Sequence, residues 1–516
     1  MPSAQKNSPG ENRPLIILTT INAKWIHPSL ALRLLKANLG EWEDRAEILE
    51  FALRQPLEEK TGPILAAAPR ILGISVSIWN HRASLELLLA LKRAWEGNPD
   101  GGDCPLKPAG TAPAGGQRPL GRRPLIILGG PEAAYLPEET ELLRHADWVL
   151  RGEGEVFFRD FVALVLGEKG DLEGRSFRTG DSEPEPGAGL IRGLPSVKQV
   201  RGKIIEARPL EPASLDPGYR LYTQEDLHRK LLYVEASRGC PFGCQFCLSS
   251  LDRQVREFPL EAFLGEMEAL LDRGARTFKF LDRTFNLNIG QARRILEFFL
   301  DRLRPSLCVH FEMVPGRFPP ELREILPRFP PGSLRLEVGI QTFNPETAAL
   351  IGRSSDPEGE LEVLRFLREG THAIVHADLI AGLPGEDLAS FAQGFDRLWA
   401  VRPTEIQPGI LKRLPGTPLS RQDKDWDMVY SPQPPYEVLE TAVLPVRDLD
   451  RLKNFARFWE LIVNRGAFPD LAPALFPEGK PVFGPFMALS DWLLERFGRN
   501  WGIDRKELRA ALEERQ

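Results

Sequence analysis

Short apolar runs alternate with amphipathic stretches along the first third of the chain. A continuous apolar run is typical of a buried strand, whereas apolar positions that recur every three to four residues predict a helix. Regular alternation of the two favours a parallel sheet that is covered by helices on both faces. The strands are predicted at 15–19, 47–51, 71–77, 125–128 and 148–150, with helices near 28–39, 82–95 and 155–166.

A second series of strand-then-helix units runs from residue 231 to residue 411. The first helix of this series carries its apolar side chains on one stripe, as a helix packed on a sheet does. These side chains are Leu260, Phe263, Leu264, Met267, Leu270 and Leu271. Six such units predict a partial (β/α)6 barrel, in which chemistry gathers at the carboxyl ends of the strands. The strands are predicted at 231–236, 277–281, 309–313, 334–340, 373–380 and 405–411.

The remaining segments suggest how the chain is divided. Breaker-rich composition predicts a disordered tail at the start and a flexible insertion over 97–123, and Arg201-Gly202 predicts a small hairpin over 199–207. Amphipathic helices are predicted at 448–464 and 486–497. The predicted domains are the tail (1–13), a Rossmann-like α/β domain (14–170), a connector with the hairpin (171–229), the partial barrel (230–418) and a mainly helical C-terminal domain (419–516).

Composition excludes several classes of protein. Of the 516 residues, 42% are hydrophobic and 27% are charged, as in a soluble globular protein. A net charge of -6 gives no basic field, so we expect no nucleic-acid partner. No apolar run reaches the ~18 residues of a membrane span, and the start of the chain lacks the apolar core of a signal peptide. We therefore expect a cytoplasmic protein without a membrane span, in a reducing compartment.

Three cysteines lie close together in the segment Ser-Arg-Gly-Cys-Pro-Phe-Gly-Cys-Gln-Phe-Cys. Cys240, Cys244 and Cys247 have the spacing C-x-x-x-C-x-x-C, and Gly239 and Gly243 loosen the backbone so that the sulfurs can converge. Three thiolates fill three corners of a four-iron cluster and leave the fourth iron open to another ligand. The spacing therefore predicts a reactive 4Fe-4S cluster.

A zinc site and a disulfide framework are the two alternative interpretations of the cysteines. A zinc site would need a fourth ligand nearby, and the nearest candidates are His228 upstream and Cys308 downstream. A disulfide framework does not suit a chain of this length with an odd number of cysteines. Cys104 and Cys308 lie outside the motif, and we interpret both as incidental thiols.

The cysteine motif after a strand resembles the radical SAM superfamily, which implies that the open iron binds the amino and carboxylate groups of S-adenosylmethionine. Further segments resemble the oxygen-independent coproporphyrinogen oxidase branch of that superfamily. These segments are Phe-Glu-Met (311–313), Val-Gly-Ile-Gln-Thr-Phe-Asn (338–344), Gly-Arg (352–353) and Asp-Leu-Ile-Ala-Gly-Leu-Pro-Gly-Glu (378–386). The likeness implies that S-adenosylmethionine contacts Glu312, Gln341, Arg353 and Asp378.

Two more residues belong to the predicted S-adenosylmethionine site. Asp282 lies where many relatives have a Gly-Gly-Glu turn that receives the methionine ammonium, although the glycines are missing here. Its carboxylate could bind the ammonium, contact the open iron or pair with Arg283, and we favour the ammonium. Phe246, inside the cysteine motif, is assigned to the same cofactor.

The domain ahead of the cysteines resembles the cobalamin-binding domain of cobalamin-dependent radical SAM enzymes. The matching features are the turn Gly129-Gly130-Pro131 and the segment Gly152-Glu153-Gly154-Glu155, each after a predicted strand. For the glycine turns, the alternative interpretations are a nucleotide-binding turn or an ordinary tight αβ turn. For Trp79, the alternative is an ordinary core indole. The likeness implies that cobalamin contacts Ser77, Trp79, Gly129, Gly130, Gly152 and Glu153.

The loop after the first strand bears on the cobalt ligand. Proteins that ligate cobalt carry Asp-x-His-x-x-Gly there, whereas this chain reads Asn-Ala-Lys-Trp-Ile-His-Pro (22–28), without the Asp or the Gly. His27 is a conceivable lower ligand, but we expect cobalamin to bind with no protein histidine on the metal.

The chain as a whole resembles cobalamin-binding radical SAM proteins that carry a C-terminal domain of uncharacterised function. The likeness implies three cofactors, namely a 4Fe-4S cluster, S-adenosylmethionine and cobalamin, and an external electron donor of the flavodoxin or ferredoxin type. The expected reaction is radical methyl transfer to an unactivated carbon of a small-molecule substrate. A rearrangement or oxidative cyclisation without methylation, as in tetrapyrrole cyclases, and a non-catalytic cluster and cobalamin sensor are the alternatives. The C-terminal helices would cap the barrel or serve in docking.

Overall fold

The computed structural model describes residues 13–96, 123–167, 186–316, 318–471, 475–477 and 479–515. Its contacts divide the chain into two compact units, Met1–Tyr233 and Val234–Gln516. The predicted tail and flexible insertion lie outside the described residues, apart from the last residue of each. The domain boundaries at 170, 229 and 418 remain predictions. Of the helices described, none is both long and apolar enough to cross a membrane.

Strands and helices alternate through most of the first unit. Its strands are β1 (Ile16–Asn22), β2 (Ala46–Ala52), β3 (Ile71–Ser75), β4 (Leu125–Gly129), β5 (Trp148–Arg151), β6 (Val197–Arg201) and β7 (Ile204–Ala207). Its helices are α1 (Leu30–Ala37), α2 (Leu57–Ala67), α3 (His81–Glu96), α4 (Glu141–Arg144), α5 (Glu155–Leu166), α6 (Pro186–Arg192) and α7 (Gln224–Arg229). All five predicted strands are present, with ends shifted by a few residues.

These strands form one sheet with the order β2-β1-β3-β4-β5-β7-β6. Its pairs are parallel except β6 with β7. The chain turns back in the opposite direction along the sheet between β1 and β3. Doubly wound sheets bind their ligands at such a switch point, beyond the carboxyl ends of the strands. The loops after β1 and β3 are therefore where a ligand of this unit is expected.

Two features of the first unit differ from the sequence prediction. Helix α2 was not predicted, because Gly62 and Pro63 interrupt its pattern and it buries only Lys60, Thr61 and Ile64. The predicted hairpin exists as β6 and β7, but it extends the main sheet because β7 pairs in parallel with β5. Pairing between residues more than 50 positions apart leaves no local signature in sequence.

A core of aromatic and aliphatic side chains holds α5 against this sheet. Phe157, Phe158, Phe161, Val162 and Val165 lie on the buried face of α5. They pack with Trp148 of β5 and with apolar residues of β1, β3 and β7 in one cluster. Burying a side chain of this size stabilises the fold by about 1.5–3 kcal/mol, so the sheet is a rigid platform for its loops.

The second unit contains the predicted barrel strands. Its strands are β8 (Leu232–Val234), β9 (Ser237–Arg238), β10 (Arg256–Glu257), β11 (Thr277–Phe280), β12 (Cys308–Met313), β13 (Leu334–Gln341), β14 (Ile374–Ala381), β15 (Glu405–Ile410), β16 (Val429–Tyr430) and β17 (Val438–Glu440). Its helices are α8 (Leu260–Asp272), α9 (Ile289–Asp301), α10 (Pro320–Ile325), α11 (Pro345–Leu350), α12 (Pro357–Gly370), α13 (Leu388–Val401), α14 (Val446–Trp459), a π-helix (Glu460–Asn464), α15 (Phe483–Phe497) and α16 (Arg505–Glu514).

Six of these strands form a sheet with the order β15-β14-β13-β12-β11-β8. Chain neighbours lie side by side, and the two end strands do not pair with each other, as the prediction of a partial barrel requires. Along β13 the side chains alternate between buried and half-buried, with Leu334, Leu336, Val338 and Ile340 on the buried face. Since successive side chains point to opposite faces, Arg335, Glu337, Gly339 and Gln341 share the other face.

The C-terminal helices pack around a cluster of aromatic rings. Phe455 and Trp459 of α14 are fully buried, and both lie within 6 Å of Phe395 of α13 and Phe486 of α15, measured between ring centroids. The π-helix that follows α14 places Asn464 against β15. Its amide accepts from the Ile406 N–H (3.2 Å) and donates to the Ile406 carbonyl (2.9 Å).

Two adjacent glycines at the end of β4 give a matched test of this fold. Gly130 has a φ of +93°, and a Cβ there would lie 2.5 Å from the Val76 carbonyl oxygen. At Gly129 the nearest atom would be 4.0 Å away. We expect Gly130→Ala to lower the free energy of unfolding of the first unit by about 2–4 kcal/mol, from backbone strain and the clash.

Gly129→Ala serves as the control and should change stability by less than about 1 kcal/mol. Thermal and urea unfolding of the two variants measure the difference. Equal stabilities would contradict the described turn.

Candidate functional site

The three cysteines lie on a loop that is closed at its base by a short strand pair. The loop leaves β9, returns through β10, and these strands pair antiparallel. The Cys240 N–H donates to the Asp252 carbonyl (2.9 Å) across the base. Gly239 has a φ of +91°, and a Cβ there would lie 2.2 Å from the Gln254 carbonyl oxygen. Cys240 and Cys244 are buried, Cys247 is half-buried, and none forms a disulfide.

A second segment, after α11, supports the loop from the side. The Gln245 N–H donates to the Ile351 carbonyl (2.9 Å). Gly352 has a φ of +71°, and a Cβ there would lie 2.7 Å from the Gly243 carbonyl oxygen. The next residue, Arg353, places Nη1 3.6 Å from Cys244 Sγ and donates from Nη2 to the Gly339 carbonyl (2.8 Å). The structure thus brings Arg353 and Cys244 together.

The electrostatics of the loop suit a metal cluster. Burial raises the pKa of the Cys240 thiol, and negative charge on Cys247 and Cys244 raises it further. Three neighbouring thiolates therefore need positive charge, which iron supplies when it binds. Among the described residues, no three His, Cys, Asp or Glu side chains are arranged to hold a single metal ion. A four-iron cluster attaches each thiolate to a different iron, so its ligands need not share that arrangement.

Asp378, on β14, carries the least satisfied carboxyl of the predicted S-adenosylmethionine site. Its Oδ1 is buried and has no hydrogen-bond partner among the described residues. Burial raises the pKa of Asp378 to about 7, and the charges of Glu337 and Glu312 raise it in the same direction. An orphaned buried acceptor is costly, and a ligand that donates a hydrogen bond or brings positive charge would relieve that cost.

Glu312 and Gln341 mark the ends of β12 and β13. Glu312 accepts from Nη1 of Arg283 with both carboxylate oxygens (3.1 and 3.2 Å). Gln341 has a φ of +72°, and the pairing with β14 shifts register between Gly339 and Gln341. A non-glycine residue in this conformation is strained, and such strain clusters at ligand sites.

Asp282 is held inside the protein. Its carboxylate accepts from the Ala236 N–H (2.9 Å) and from the Ser237 hydroxyl (2.6 Å), and burial raises its pKa to about 7. Both contacts fix the segment that enters the cysteine loop. Arg283, one of its predicted alternative partners, pairs with Glu312 instead. Phe246 is half-buried within the loop, and its contact with S-adenosylmethionine remains a prediction.

A charged layer that was not predicted from the sequence lies on the inner face of the barrel sheet. Glu337 lies 2.9 Å from Lys279 Nζ and 3.2 Å from His310 Nε2, and its contact with His310 is the main reason that its pKa is lowered to about 2. Burial, followed by the charge of Arg335, lowers the pKa of His376 to about 4. The alternation Leu-Arg-Leu-Glu-Val-Gly-Ile-Gln in β13 was the signal that could have revealed it.

Ser77, Trp79 and Gly130, three of the predicted cobalamin residues, lie on or against the loop after β3, beside the switch point. Buried Asn80 donates to the Ile21 carbonyl (2.9 Å) and accepts from the Ser77 N–H (2.8 Å), so it ties the end of β1 to the loop after β3. Trp79 in that loop is 54% exposed. Gly130 touches the same loop at Val76. An exposed indole at a switch point fits a flat ligand such as a corrin.

The remaining candidates of this unit have partners within the protein. Gly152 has a φ of +92°, and a Cβ there would lie 3.4 Å from the Ala207 carbonyl oxygen. Glu153 accepts from the Leu210 N–H (2.6 Å). His27 Nδ1 lies 2.9 Å from the Tyr233 hydroxyl. These contacts give Glu153 and His27 structural roles. The contact of Glu153 with cobalamin remains a prediction, as does the absence of a protein histidine on the cobalt.

Comparison with known families places the chemistry in the second unit. Residues 234–398 match the family described as the radical SAM superfamily, and residues 424–510 match a family described as a protein of unknown function (DUF4080). The chain therefore contains a radical SAM domain. An uncharacterized methyltransferase of Pyrococcus horikoshii is 28% identical over 276 residues, which are 51% of this chain and 54% of that protein. The chain spans about half the length of this curated relative.

Solved structures share the fold over nearly the whole chain. TsrM from Kitasatospora setae, a radical S-adenosylmethionine methyltransferase solved with tryptophan substrate and an S-adenosylmethionine analogue, gives a TM-score of 0.58 at 16% identity, covering 97% of this chain and 99% of that chain. OxsB, a cobalamin-dependent S-adenosylmethionine radical enzyme solved with aqua-cobalamin and S-adenosylmethionine, gives 0.56 at 14% identity, covering 97% and 78%. The predicted α/β fold class and the resemblance to cobalamin-binding radical SAM proteins are confirmed.

The raised pKa of Asp378 predicts how stability depends on pH. Because its folded-state pKa of about 7 exceeds the unfolded value of 3.8, its contribution to stability is present below pH 4 and lost as the pH rises through 7. We expect Asp378→Asn to gain about 4 kcal/mol relative to the parent protein between pH 4 and pH 8.

Urea unfolding of the protein without cofactors, at several pH values, measures this difference. Asp425→Asn changes an exposed carboxyl in the same unit and is the matched control. Parallel pH profiles for Asp378→Asn and the parent protein would refute the buried, unpaired carboxyl.

Proposed function

We propose that this protein is a cobalamin-dependent radical SAM enzyme that methylates an unactivated carbon of a small molecule. One observation carries the proposal. Three free cysteines share one loop, and the guanidinium of Arg353 contacts one of them, Cys244. The loop lies beside a sheet whose inner face is polar. A structural cluster or zinc site would gain nothing from the unpaired carboxyl of Asp378 on that sheet. A cofactor that carries ammonium and hydroxyl groups would donate hydrogen bonds to that carboxyl.

The chain's own residues would divide the work as follows. Cys240, Cys244 and Cys247 would hold three irons and leave the fourth open for S-adenosylmethionine. Arg353 would stabilise the Cys244 thiolate, because a guanidinium hydrogen bond favours the charged form. When bound, the reduced cluster supplies one electron for cleavage of S-adenosylmethionine, and methylcobalamin supplies the methyl group.

The carboxyl and amide groups at the strand ends would orient S-adenosylmethionine. Asp378 offers a free acceptor atom, and a bound cation would lower its pKa below the value set by burial. Glu312 is partly exposed and already faces Arg283, so it is suited to a neutral donor such as a ribose hydroxyl. Gln341 would present its amide from the bulge at the end of β13.

Cobalamin would bind the first unit at its switch point. The loop pinned by Asn80 carries the exposed Trp79 and the buried Ser77, and Gly130 packs against this loop at Val76. Glycines at strand ends let backbone approach a bulky nucleotide tail. The corrinoid bound in OxsB and in TsrM supports this assignment, which rests on shared fold.

The substrate class and the electron donor complete the proposal. Tryptophan bound in TsrM supports a small-molecule substrate, and the net charge of -6 favours no polyanion. The reaction consumes one electron for each S-adenosylmethionine cleaved. We therefore propose that an external donor of the flavodoxin or ferredoxin type supplies this electron.

The cluster assignment is tested with a pair of cysteine variants. We expect anaerobically reconstituted parent protein to bind four irons and four sulfides per chain and to form 5'-deoxyadenosine with a reductant, as the cofactor chemistry requires. Cys244→Ala should lose 5'-deoxyadenosine formation by at least about a hundredfold, because one iron loses its ligand. Cys308→Ala, on β12 and outside the loop, should retain it.

Iron and sulfide counting, electron paramagnetic resonance and chromatography of the products measure these outcomes. Zinc at the cysteines, or normal cleavage by Cys244→Ala, would refute the assignment. Transfer of labelled methyl from S-adenosylmethionine identifies the methyltransferase. Cleavage without methyl transfer would point to a rearrangement or cyclisation, and cofactor binding without cleavage would point to a sensor.

The cobalamin assignment is tested at two tryptophans. Trp79→Ala should weaken hydroxocobalamin binding by roughly tenfold, because it removes the largest apolar contact proposed for the corrin. Trp501→Ala removes an indole that is 66% exposed in the second unit and should leave binding unchanged. Equilibrium dialysis and quenching of tryptophan fluorescence measure the affinity. Equal affinities for parent protein and Trp79→Ala would contradict the site.

A further inference from the structure

The proposed reaction assigns no role to the C-terminal region, residues 411–515, yet three of its contacts with the barrel bear on the cysteine loop or on the sheet. The first is at the cysteine loop. Gln422 Nε2 donates to the Gln245 side-chain oxygen (3.1 Å) and to the Leu350 carbonyl (3.0 Å). Gln245 lies between Cys244 and Cys247, and Leu350 lies three residues before Arg353. One amide therefore joins the two segments that meet at Cys244.

The second place is the loop after β14. Gly382 has a φ of +86°, and a Cβ there would lie 2.5 Å from Cγ1 of Val438 on β17. Gly385 has a φ of +77°, and a Cβ there would lie 3.0 Å from the ring of Trp426. The C-terminal region thus packs against this loop at atomic contact, and larger residues at either glycine would push the two apart.

The third place is the last strand of the barrel sheet. The side chain of Asn464 forms two hydrogen bonds with the backbone of Ile406 on β15. Two bonds of this kind reproduce the pairing that a seventh strand would give. All three contacts lie within the second unit, at strand-end loops or at an edge strand.

We propose that the C-terminal region is a brace that holds the cysteine loop, with Gln422 as the positioning residue that sets the contact between Arg353 and Cys244. Gln422 donates to both Gln245 and Leu350 and so holds the two residues close to each other. Arg353 lies three residues after Leu350, in the turn that follows α11. Hydrogen bonds to cluster sulfurs raise the reduction potential. The predicted effect on the reduction potential rests on the proposed cluster, whereas the stabilisation of the cysteine loop does not.

The brace is tested first in the full-length protein without cofactors. Gln422→Glu keeps the size of the side chain and removes the amide donor, and Gln422→Ala removes both. We expect Cys244 to react several-fold faster with a thiol reagent in either variant, because the loop loses a bridging hydrogen bond. Gln433→Ala, at an exposed position of the same region, should react at the parental rate.

Peptide mass spectrometry after timed alkylation gives the rate at each cysteine, and circular dichroism checks that the fold persists. Parental rates at Cys244 in both Gln422 variants would overturn the brace.

The reconstituted protein gives a second readout. A potentiometric titration followed by electron paramagnetic resonance should show a more negative midpoint potential in both Gln422 variants than in the parent protein and Gln433→Ala. An unchanged potential would overturn the role assigned to Gln422 in setting the Arg353 contact. If the parent protein bound no cluster, the proposed function would fail, and the alkylation rates would still decide whether the C-terminal region holds the loop.

Discussion

The contact of Arg353 with Cys244, on the loop that carries all three cysteines, is the interaction on which the rest of the site depends. A loop of eight residues from Cys240 to Cys247 makes few bonds of its own, so its shape is imposed by its neighbours. The β9–β10 pair closes its base, the turn at Gly352 presses against its middle, and Arg353 brings positive charge to Cys244. These supports come from two separate stretches of chain, the β9–β10 pair and the segment after α11, and the folded barrel brings them to one place.

The inner face of the barrel sheet carries charged groups whose stability also depends on their partners. Charges on that face are stabilised where partners exist, as for Glu337 between Lys279 and His310. Where a partner is missing, burial raises the pKa of the carboxyl, as for Asp378, whose pKa is about 7. Such a carboxyl costs stability until a ligand arrives, which is common at functional sites. The partnered charges near Glu337 and the unsatisfied carboxyl of Asp378 therefore lie at successive positions along the sheet, and the proposed ligand would meet the second of them.

Much of this arrangement could be predicted from the sequence because it is encoded locally. Apolar runs located the strands, and the spacing of Cys240, Cys244 and Cys247 located the loop. What could not be predicted depends on contacts between distant residues. The docking of β7 beside β5 and the pairing of Arg283 with Glu312 leave no periodic signal. The bridge from Gln422 to the cysteine loop spans 177 positions, and a lone glutamine carries no sign of its partner.

The pairing of Asn464 with Ile406 also bears on how the protein behaves in solution. A terminal strand with free backbone groups can recruit a strand from another molecule, and this route leads to aggregation. On β15 the two hydrogen bonds from one side chain occupy backbone groups that an incoming strand would need. The π-helix that carries Asn464 therefore covers part of the edge of β15 that does not pair with β14. This cover disfavours strand pairing between molecules.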